Sequence, residues 1–269
     1  DTGAYRTSID IILAQQLGLD LIEFILDYDE VEKNPLMTSD GLNEITALSN
    51  KTAVAVKSVC ADYFMQAPLH SVSKKELDQN LCVLEKLIFN CSKIGVSDLV
   101  IPLVDQSAMK TNSSKLEFVK NIAPCIEQAE KHSINLALET DLSPHEFSDL
   151  LGKFDSPRVT ANYDIGNSAS LGYDVYQEFA AYGSRISNVH IKDRVTGGGS
   201  VLLGTGHAHF DVVFNLLNSL NYQGIFVMQA YRDDEGLELF KQQLFWVTAK
   251  LNSYFKKESS QNDCSPYPS

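Results

Sequence analysis

An eight-stranded parallel α/β barrel is the fold class that the sequence predicts, and three observations predict it. The chain has 269 residues, 44% of them hydrophobic, which suits one large core of the usual barrel size. Short apolar runs alternate with longer amphipathic runs, as in parallel strands covered by helices. Polar residues repeatedly close the apolar runs, which is where the functional groups of such barrels gather.

Seven short apolar runs are the strand candidates, and their composition is typical of strands buried on both faces. Helical patterns lie between them. Ser73 and Glu76 have the spacing of a capping box before an apolar stripe, and a second stripe from Leu237 to Leu251 predicts the last helix. In chain order the predicted strands are Leu21 to Ile25, Ala53 to Val59, Leu99 to Leu103, Ile134 to Glu139, Arg158 to Asp164, Ile186 to Ile191 and Ile225 to Gln229.

The first strand of the barrel is missing from this pattern. Residues 1–6 contain no apolar run ahead of the first predicted helix, at Thr7 to Leu17. We therefore expect that this strand was lost by truncation or is not numbered. No Pro-rich or Ser-rich linker divides the chain, so the sequence predicts one domain over residues 1–255 and a polar tail at residues 256–269.

Charge and composition narrow the classes of partner. The formal net charge is −13 and Lys and Arg form no cluster, so we expect no nucleic acid partner. No apolar stretch approaches the roughly 20 residues that a membrane span needs. The five cysteines are widely spaced and never form a CxxC pair, which favours a reducing cytoplasm. A small, neutral or singly charged ligand fits best, and pairing into a homo-oligomer stays open.

Four consecutive predicted strands end in groups that can bind a metal ion. Glu139, Asp164, His190 and Gln229 close strands five to eight of the predicted barrel. Taken singly, each has a plainer interpretation as a helix cap, a loop anchor or a hydrogen-bonded core histidine. Because strand ends converge on one face of a barrel and buried carboxylates need a partner, the four together predict a metal site.

Four motifs resemble those of the xylose isomerase-like superfamily of barrels, within it most closely the sugar phosphate isomerases and epimerases: ALET (Ala137 to Thr140), NYDIGN (Asn162 to Asn167), NVHIKD (Asn188 to Asp193) and LGTGHAHFD (Leu203 to Asp211). The resemblance implies one divalent ion, Mn, Mg, Co or Zn, held by Glu139, Asp164, His190 and position 229. It also implies that Glu139 is the general base and that the ion stabilises an enediolate formed from a small sugar or ketose phosphate.

Position 229 departs from the pattern of the family that the chain resembles, in which a carboxylate is usual. The amide oxygen of Gln229 can still bind a hard divalent ion, but it cannot accept a proton. The two-base epimerisation that the resemblance implies therefore lacks one partner. Either another group serves, or the reaction is a one-base isomerisation, or the activity differs.

Three residues near the predicted ligands are candidates for substrate binding. Asn167 occupies a position that faces sugar hydroxyls in the resembling family, or else it is a loop-forming Asn. Lys192 and Arg194 either hold a substrate oxyanion or phosphate, or they are paired surface charges. The glycine run that follows, Gly197 to Gly199, is interpreted as a solvated turn rather than as a phosphate cradle.

Earlier strands contribute two more candidates for substrate binding. Glu23 either points into the pocket or bonds to a neighbouring Lys such as Lys57. His70 follows the next strand, at a position where the resembling family often places a pocket residue. Otherwise it is a histidine in a surface loop. The HxH pair of His207 and His209 has no assigned role in this interpretation.

Two alternatives to the isomerase or epimerase stay open at the level of sequence. One is a metal-dependent phosphodiesterase that resembles the endonuclease IV branch of the superfamily, with His70 and the HxH pair as extra ligands. That branch needs a cationic groove for DNA, and the net charge of −13 argues against such a groove in this chain. The other is a sugar-binding barrel that has lost turnover, for which Gln229 in place of a carboxylate is the sign.

Overall fold

The structure is a computed structural model that describes residues 10–231 and 236–255. Seven parallel strands alternate with helices in this part of the chain, and each lies within two residues of its predicted bounds. The strands are β1 (Leu21–Ile25), β2 (Ala55–Cys60), β3 (Asp98–Leu103), β4 (Asn135–Thr140), β5 (Val159–Asp164), β6 (Ile186–Ile191) and, after a small hairpin of β7 (Asp193–Arg194) and β8 (Ser200–Val201), β9 (Ile225–Met228).

Helices cover the outside of the sheet. The predicted capping box of Ser73 and Glu76 is present at the start of α4. No described helix combines the length and the hydropathy that crossing a bilayer requires. The first residues of the first predicted helix, and the predicted polar tail at residues 256–269, lie outside the described residues. The helices are α1 (residues 10–16), α2 (Ser39–Thr52), α3 (Tyr63–Gln66), α4 (Lys74–Ile94), α5 (Asn112–His132), α6 (Pro144–Leu151), α7 (Ile165–Leu171), α8 (Val175–Tyr182), α9 (Phe210–Ser219) and α10 (Leu237–Tyr254).

The strands form one parallel sheet in the order β1, β2, β3, β4, β5, β6, β9, which curls into a nearly closed barrel. Side chains meet across its interior: His190 of β6 lies 3.2 Å from Glu23 of β1, and Asn188 Nδ2 lies 2.8 Å from Ser58 Oγ of β2. Among the described residues, β1 and β9 each pair on one side only, which leaves a seam between them. Seven strands with one seam are consistent with the expected absence of the first strand.

The main apolar core lies between the outer face of the sheet and the helices. Leu99 and Ile101 of β3, Leu136 and Leu138 of β4 and Phe118 of α5 are fully buried in it. Full burial of an apolar side chain of this size stabilises the fold by about 1.5–3 kcal/mol. The core therefore holds the strands, and with them the side chains at their carboxyl ends, on a rigid frame.

The inner face of the barrel is polar along β5 and β6, which differs from the prediction of strands that are apolar on both faces, whereas Cys60, Val100 and Ala137 form a small apolar cluster on β2 to β4. Successive side chains of a strand point to opposite faces, so Thr160, Asn162 and Asp164 of β5 share the interior face. The same alternation brings Asn188 and His190 of β6 inside. All five are buried, with exposures between 0% and 7%. Thr160, Asn162, Asn188 and His190 form hydrogen bonds with polar side chains of neighbouring or opposite strands, which lowers the cost of burying them. One side-chain oxygen of each of Asn162, Asp164 and Asn188 is nevertheless buried without a hydrogen bond from the described residues.

The long connection from β6 to α9 is organised by one buried carboxylate. Asp193 accepts hydrogen bonds from the backbone amides of Gly204, Gly206 and Ala208 at 2.8–3.1 Å. A Cβ atom at position 206 would lie only 2.2 Å from Asp193 Oδ1, so glycine is required there. The GTG sequence of the LGTGHAHFD motif is thereby explained as the partner of Asp193.

Candidate metal centre

Three of the four predicted metal ligands lie together at the carboxyl ends of adjacent strands. Asp164 ends β5, while Glu139 and His190 each lie one residue before the end of their strands, β4 and β6. The register of the sheet pairs Asp164 with His190. One potential ligand atom from each of the three side chains lies within 4.8 Å of the other two. We call these three residues the acidic cluster, and all three are buried, with exposures of 8%, 5% and 0%.

Asp164 has one occupied and one free carboxylate oxygen. Its Oδ1 caps α7 by accepting a hydrogen bond of 2.8 Å from the backbone amide of Asn167. Its Oδ2 is buried and accepts no hydrogen bond from the described residues. The nearest cation to that oxygen is the ammonium of Lys192, at 3.6 Å. A buried carboxylate oxygen without a hydrogen bond is costly, so Lys192 stabilises this oxygen only at ion-pair distance, and the oxygen can still accept a closer cation.

Glu139 is held in place by two amide side chains. Asn162 Nδ2 donates to its Oε2 at 3.1 Å, and Asn167 Nδ2 donates to its Oε1 at 2.7 Å. Burial and the negative charge of Asp164 raise the pKa of Glu139 to about 7, against the opposing effect of His190. The carboxylate is therefore both fixed in orientation and more basic than an exposed glutamate.

His190 is fully buried and both of its ring nitrogens face polar partners. Nε2 lies 3.2 Å from the carboxylate of Glu23. Nδ1 faces the acidic cluster, 3.8 Å from Glu139 Oε2, and lies 3.2 Å from Asn162 Nδ2. Burial lowers the pKa of His190, but the charge of Glu23 and the hydrogen bond to it, with further contributions from Glu139 and Asp164, raise it to about 9.

Gln229 follows β9 and lies beside the acidic cluster, where it contacts His190 of the cluster and Lys192. Its Nε2 is 3.0 Å from His190 Nδ1, and its Oε1 is 3.5 Å from Lys192 Nζ. The side chain thus reaches the position that the sequence predicted for the fourth ligand. In this arrangement its oxygen is directed at the ammonium of Lys192, so its binding to a metal ion stays a prediction.

Asn167 and Arg194 form a chain of hydrogen bonds that ends at Glu139. Arg194 Nη1 donates to Asn167 Oδ1 at 2.9 Å, which turns Asn167 Nδ2 toward Glu139. The Nε and Nη2 groups of Arg194 donate to the carbonyl of Gly198 at 3.0 and 2.8 Å. The guanidinium of Arg194 thus holds the carbonyl of Gly198 in place, as expected if the glycine run forms a turn. Substrate binding by either side chain stays a prediction.

Glu23 faces the interior of the barrel. Lys57 donates instead to the carbonyl of Gly95 at 3.1 Å, so the alternative pairing of Glu23 with Lys57 is not formed. Burial raises the pKa of Glu23, but the charge of His190 and hydrogen bonds from His190 and Ser58 outweigh it, and the pKa is lowered. Glu23 is therefore an ionised partner of His190 at neutral pH.

The remaining histidines lie away from the acidic cluster. His70 is 3% exposed, and its ring nitrogens contact Ser71 Oγ at 3.0 Å and the Ser107 carbonyl at 2.9 Å. Its role in substrate binding stays a prediction. His207 is exposed and accepts a hydrogen bond from the backbone amide of Thr196 at 3.0 Å. With His209 it lines a cavity of about 500 Å³ behind α7, and no residue of the acidic cluster lines that cavity.

Several polar residues of the centre were not singled out from the sequence. Asn162 and Asn188 lie in the middle of predicted strands, Ser58 lies in β2, and Asp193 follows β6. Asparagine is disfavoured in strands, so its occurrence inside two buried strands is a signal that a hydrogen-bonding partner lies within the barrel. Nothing comparable marks Ser58, since serine is common in every structural environment.

The donor set of the centre fits a divalent cation. It offers two carboxylates, one imidazole nitrogen and one amide oxygen, a combination compatible with Mn, Mg, Co or Zn. Asp164 Oδ2 supplies the structural sign, because it is buried without a hydrogen bond from the described residues. Glu139, Asp164 and His190 would hold the ion, with Gln229 next to them.

Fold and cluster together define the class of protein, a parallel α/β barrel with a candidate metal centre at the carboxyl ends of its strands. The chain belongs to the xylose isomerase-like TIM barrel family, whose model matches residues 11–250. The family predicted from the four sequence motifs is thereby confirmed. The sequence is also similar to that of the L-ribulose-5-phosphate 3-epimerase UlaE of Escherichia coli, with 26% identity over 252 residues that cover 89% of this chain and 88% of that protein.

Two solved structures illustrate the likeness of fold. A xylose isomerase-like TIM barrel protein from Mycobacterium smegmatis, in complex with magnesium, has a TM-score of 0.74 at 16% identity and covers 94% of this chain and 90% of its own. The D-psicose 3-epimerase of Clostridium cellulolyticum, solved with D-tagatose, has a TM-score of 0.76 at 14% identity and covers 92% of this chain and 93% of its own. At these identities the structures show that the fold is shared.

Proposed function

We propose that the protein is a divalent-metal-dependent isomerase or epimerase of a small sugar or sugar phosphate. One observation carries the proposal, namely the acidic cluster at the carboxyl ends of the strands, in which the buried Asp164 Oδ2 accepts no hydrogen bond from the described residues and has only the Lys192 ammonium at 3.6 Å as an ionic partner. The bound ion would stabilise the negative charge that develops on a substrate oxygen when a proton leaves the neighbouring carbon. Side chains of the protein would transfer the proton and hold the substrate.

Glu139 is the general base in this proposal. Its two amide partners, Asn162 and Asn167, hold the carboxylate at a fixed angle toward the centre. Burial and the charge of Asp164 raise the pKa of Glu139, and a bound divalent ion would lower it again. The carboxylate would then be ionised at neutral pH and able to take a proton from the substrate.

The second face of the substrate meets a different set of groups. Gln229 cannot accept a proton, and beside it lies Lys192, whose side chain is 24% exposed and whose ammonium lies 3.5 Å from the amide oxygen. We propose that Lys192 binds a substrate oxygen or phosphate there, since an ammonium donates up to three hydrogen bonds and attracts anions. With one carboxylate base, the reaction proposed is an isomerisation in which Glu139 takes a proton from one carbon and returns it to the neighbouring carbon on the same face. An epimerisation would need a second proton donor on the opposite face, a role that Gln229 cannot fill.

The substrate class is drawn from the relatives and from the site. UlaE is named for L-ribulose 5-phosphate and a solved barrel of the same fold contains D-tagatose, both ketose sugars. A carbonyl beside a hydroxyl-bearing carbon is the group that a metal and a carboxylate base can act on together. The protein is accordingly proposed to act on a ketose or ketose phosphate.

The phosphodiesterase alternative requires additional histidine ligands near the acidic cluster. His70 has both ring nitrogens bonded to Ser71 and Ser107, and His207 and His209 are exposed on the loop behind α7. The formal charge of −13 also disfavours a polyanionic substrate. The geometry therefore favours the isomerase or epimerase.

Solvent deuterium exchange tests the proposal. The protein is incubated in deuterium oxide with Mn²⁺ or Mg²⁺ and a panel of ketoses and ketose phosphates, and incorporation is followed by NMR. We expect deuterium at the carbon next to the carbonyl of one substrate class, and a loss of about 10²-fold or more in the rate for Glu139→Gln. Full activity of Glu139→Gln would remove that residue from the base role, and no incorporation with any substrate would reject the proposed chemistry.

A further inference from the structure

We propose that Glu23 is a positioning residue that makes Nδ1 of His190 the nitrogen that binds the metal. The inference rests on the proposed metal-dependent function and adds a residue that the sequence had placed in substrate binding. It is drawn from the contacts of both nitrogens of the His190 ring and from those of the Glu23 carboxylate.

The contact between Glu23 and His190 crosses the barrel from β1 to β6. Both carboxylate oxygens of Glu23 lie 3.2 Å from Nε2 of His190. An ionised carboxylate only accepts hydrogen bonds, so Nε2 must carry the proton of the neutral ring. The other nitrogen, Nδ1, is then left with a lone pair.

The surroundings of Nδ1 agree with this assignment. The orientation of the Asn162 amide is set by Glu139, because Nδ2 donates to Glu139 Oε2 at 3.1 Å. That same Nδ2 lies 3.2 Å from His190 Nδ1, and Gln229 Nε2 lies 3.0 Å from it, so two amide donors face the ring and need an acceptor there. The lone pair of Nδ1 therefore faces the acidic cluster, and its nearest carboxylate oxygen is Glu139 Oε2 at 3.8 Å.

Glu23 is itself fixed by a second chain of polar groups. Ser58 of β2 donates a hydrogen bond to Glu23 Oε2, and Asn188 Nδ2 donates to Ser58 Oγ at 2.8 Å. The side chain of Glu23 is only 6% exposed. With its oxygens taken by Ser58 and His190, this carboxylate is placed to orient the imidazole rather than to meet a substrate.

An acceptor behind a metal-binding imidazole fixes the tautomer and the ring orientation and makes the other nitrogen a better ligand. Loss of such a partner typically weakens metal affinity by about 10–100-fold. The same loss is expected here, because without the carboxylate the ring can place its proton on either nitrogen.

The test compares Glu23→Gln with Glu178→Gln in Mn²⁺ binding measured by equilibrium dialysis. Glu178 is a buried carboxylate, 2% exposed, which accepts hydrogen bonds from Tyr163, Ser168 and Tyr182. We expect Glu23→Gln to weaken Mn²⁺ binding by about 10–100-fold and Glu178→Gln by less than about twofold. Equal losses in the two variants, or an unchanged affinity of Glu23→Gln, would overturn the proposal.

A spectroscopic measurement separates positioning from a general loss of structure. In the wild-type protein loaded with Zn²⁺, nitrogen-15 NMR should show a slowly exchanging proton on Nε2 of His190. Glu23→Gln should lose that protection while the backbone spectrum outside the centre stays unchanged. A proton on Nδ1 in the loaded wild-type protein would overturn the assignment.

A milder variant covers the case in which Glu23→Gln does not fold. Ser58→Ala removes one hydrogen bond from the Glu23 carboxylate and leaves the His190 contact in place. We expect a loss of Mn²⁺ affinity of several-fold, and no loss would contradict the proposal. A wild-type protein that binds no Mn²⁺ would instead reject the proposed function, so the two failures are distinguishable.

Discussion

Asn167 donates a hydrogen bond of 2.7 Å to Oε1 of Glu139, and this bond ties the first turn of α7 to the carboxylate near the end of β4. Arg194 determines which way the Asn167 amide faces, because its guanidinium donates to Asn167 Oδ1. Two residues that follow two different strands, β5 and β6, thereby act on one carboxylate. Both of them, Asn167 and Arg194, had been predicted to contact the substrate.

The chain of bonds from Arg194 through Asn167 predicts non-additive losses of activity. Asn167→Ala and Arg194→Ala should each lower kcat by about 10–100-fold, since a misplaced catalytic carboxylate is costly. The double variant should be no slower than the slower single variant, because both changes release the same bond to Glu139. Steady-state kinetics with the substrate found by deuterium exchange checks this. Multiplying losses would mean that Arg194 contacts the substrate independently.

Metal affinity should rise with pH. Burial and the charge of Asp164 raise the pKa of Glu139 to about 7. Burial lowers the pKa of His190, but the charge of Glu23 and the hydrogen bond to it, together with the charges of Glu139 and Asp164, raise it to about 9. Both groups must be deprotonated to bind a metal ion, so protons compete with it and lowering the pH weakens binding. Affinity should increase about tenfold per pH unit between about 7 and about 9, and more steeply below.

Calorimetric titration with Mn²⁺ checks the pH dependence directly. The titration is repeated in two buffers that differ in their heat of protonation. At a pH of about 8, the two binding heats should differ by the difference between those protonation heats, because about one proton is released for each ion bound. A binding constant that stays the same from slightly acid to slightly alkaline pH would show that neither Glu139 nor His190 is a ligand.

Gln229→Glu should preserve or strengthen metal binding. The change adds a negative charge beside His190 and Lys192, and each additional carboxylate among the ligands of a hard cation raises its affinity. Equilibrium dialysis with Mn²⁺ measures the effect, and we expect up to about a tenfold gain. Gln223→Glu is the matched control, because it adds the same charge at an exposed position. Weaker binding by Gln229→Glu alone would place position 229 outside the ligand set.

Gly206→Ala should destabilise the protein. The added Cβ would lie 2.2 Å from Asp193 Oδ1, so either the loop or the buried carboxylate must move. A cost of about 1–3 kcal/mol is typical of such strain, and a protein of this size loses about 2–4 °C in Tm for each kcal/mol. Gly199→Ala, at which a Cβ meets open space, should leave Tm nearly unchanged. Equal Tm values for the two variants, measured by thermal unfolding, would contradict the role of Asp193.

The strands were predictable because each is a short apolar run, and a run of that kind requires only local information. Leu21 to Ile25 and Ile186 to Ile191 were predicted with the bounds that the structure has. Convergence of Glu139, Asp164 and His190 was also predictable, since the carboxyl ends of parallel strands lie on one face. Their exact roles as ligands stay predictions.

The hydrogen-bond partners inside the barrel were not predictable from sequence. Whether Asn162 meets Glu139, or Glu23 meets His190, depends on the register and the curvature of the whole sheet, which are set by tertiary packing. The same limit applies to Asp193, whose three amide partners lie 11 to 15 residues further along the chain. Pairings over such distances leave no local pattern.

The seam between β1 and β9 has a consequence for the ion. Glu23 lies on β1, which among the described residues is bonded to a neighbour on one edge only, and singly paired strands fray more readily than central ones. Each fraying event would withdraw the carboxylate from His190. Any segment that covers the free edge of β1 should therefore raise the affinity of the centre for the cation. By thermodynamic reciprocity, a bound cation should raise the affinity of the barrel for that segment by the same factor.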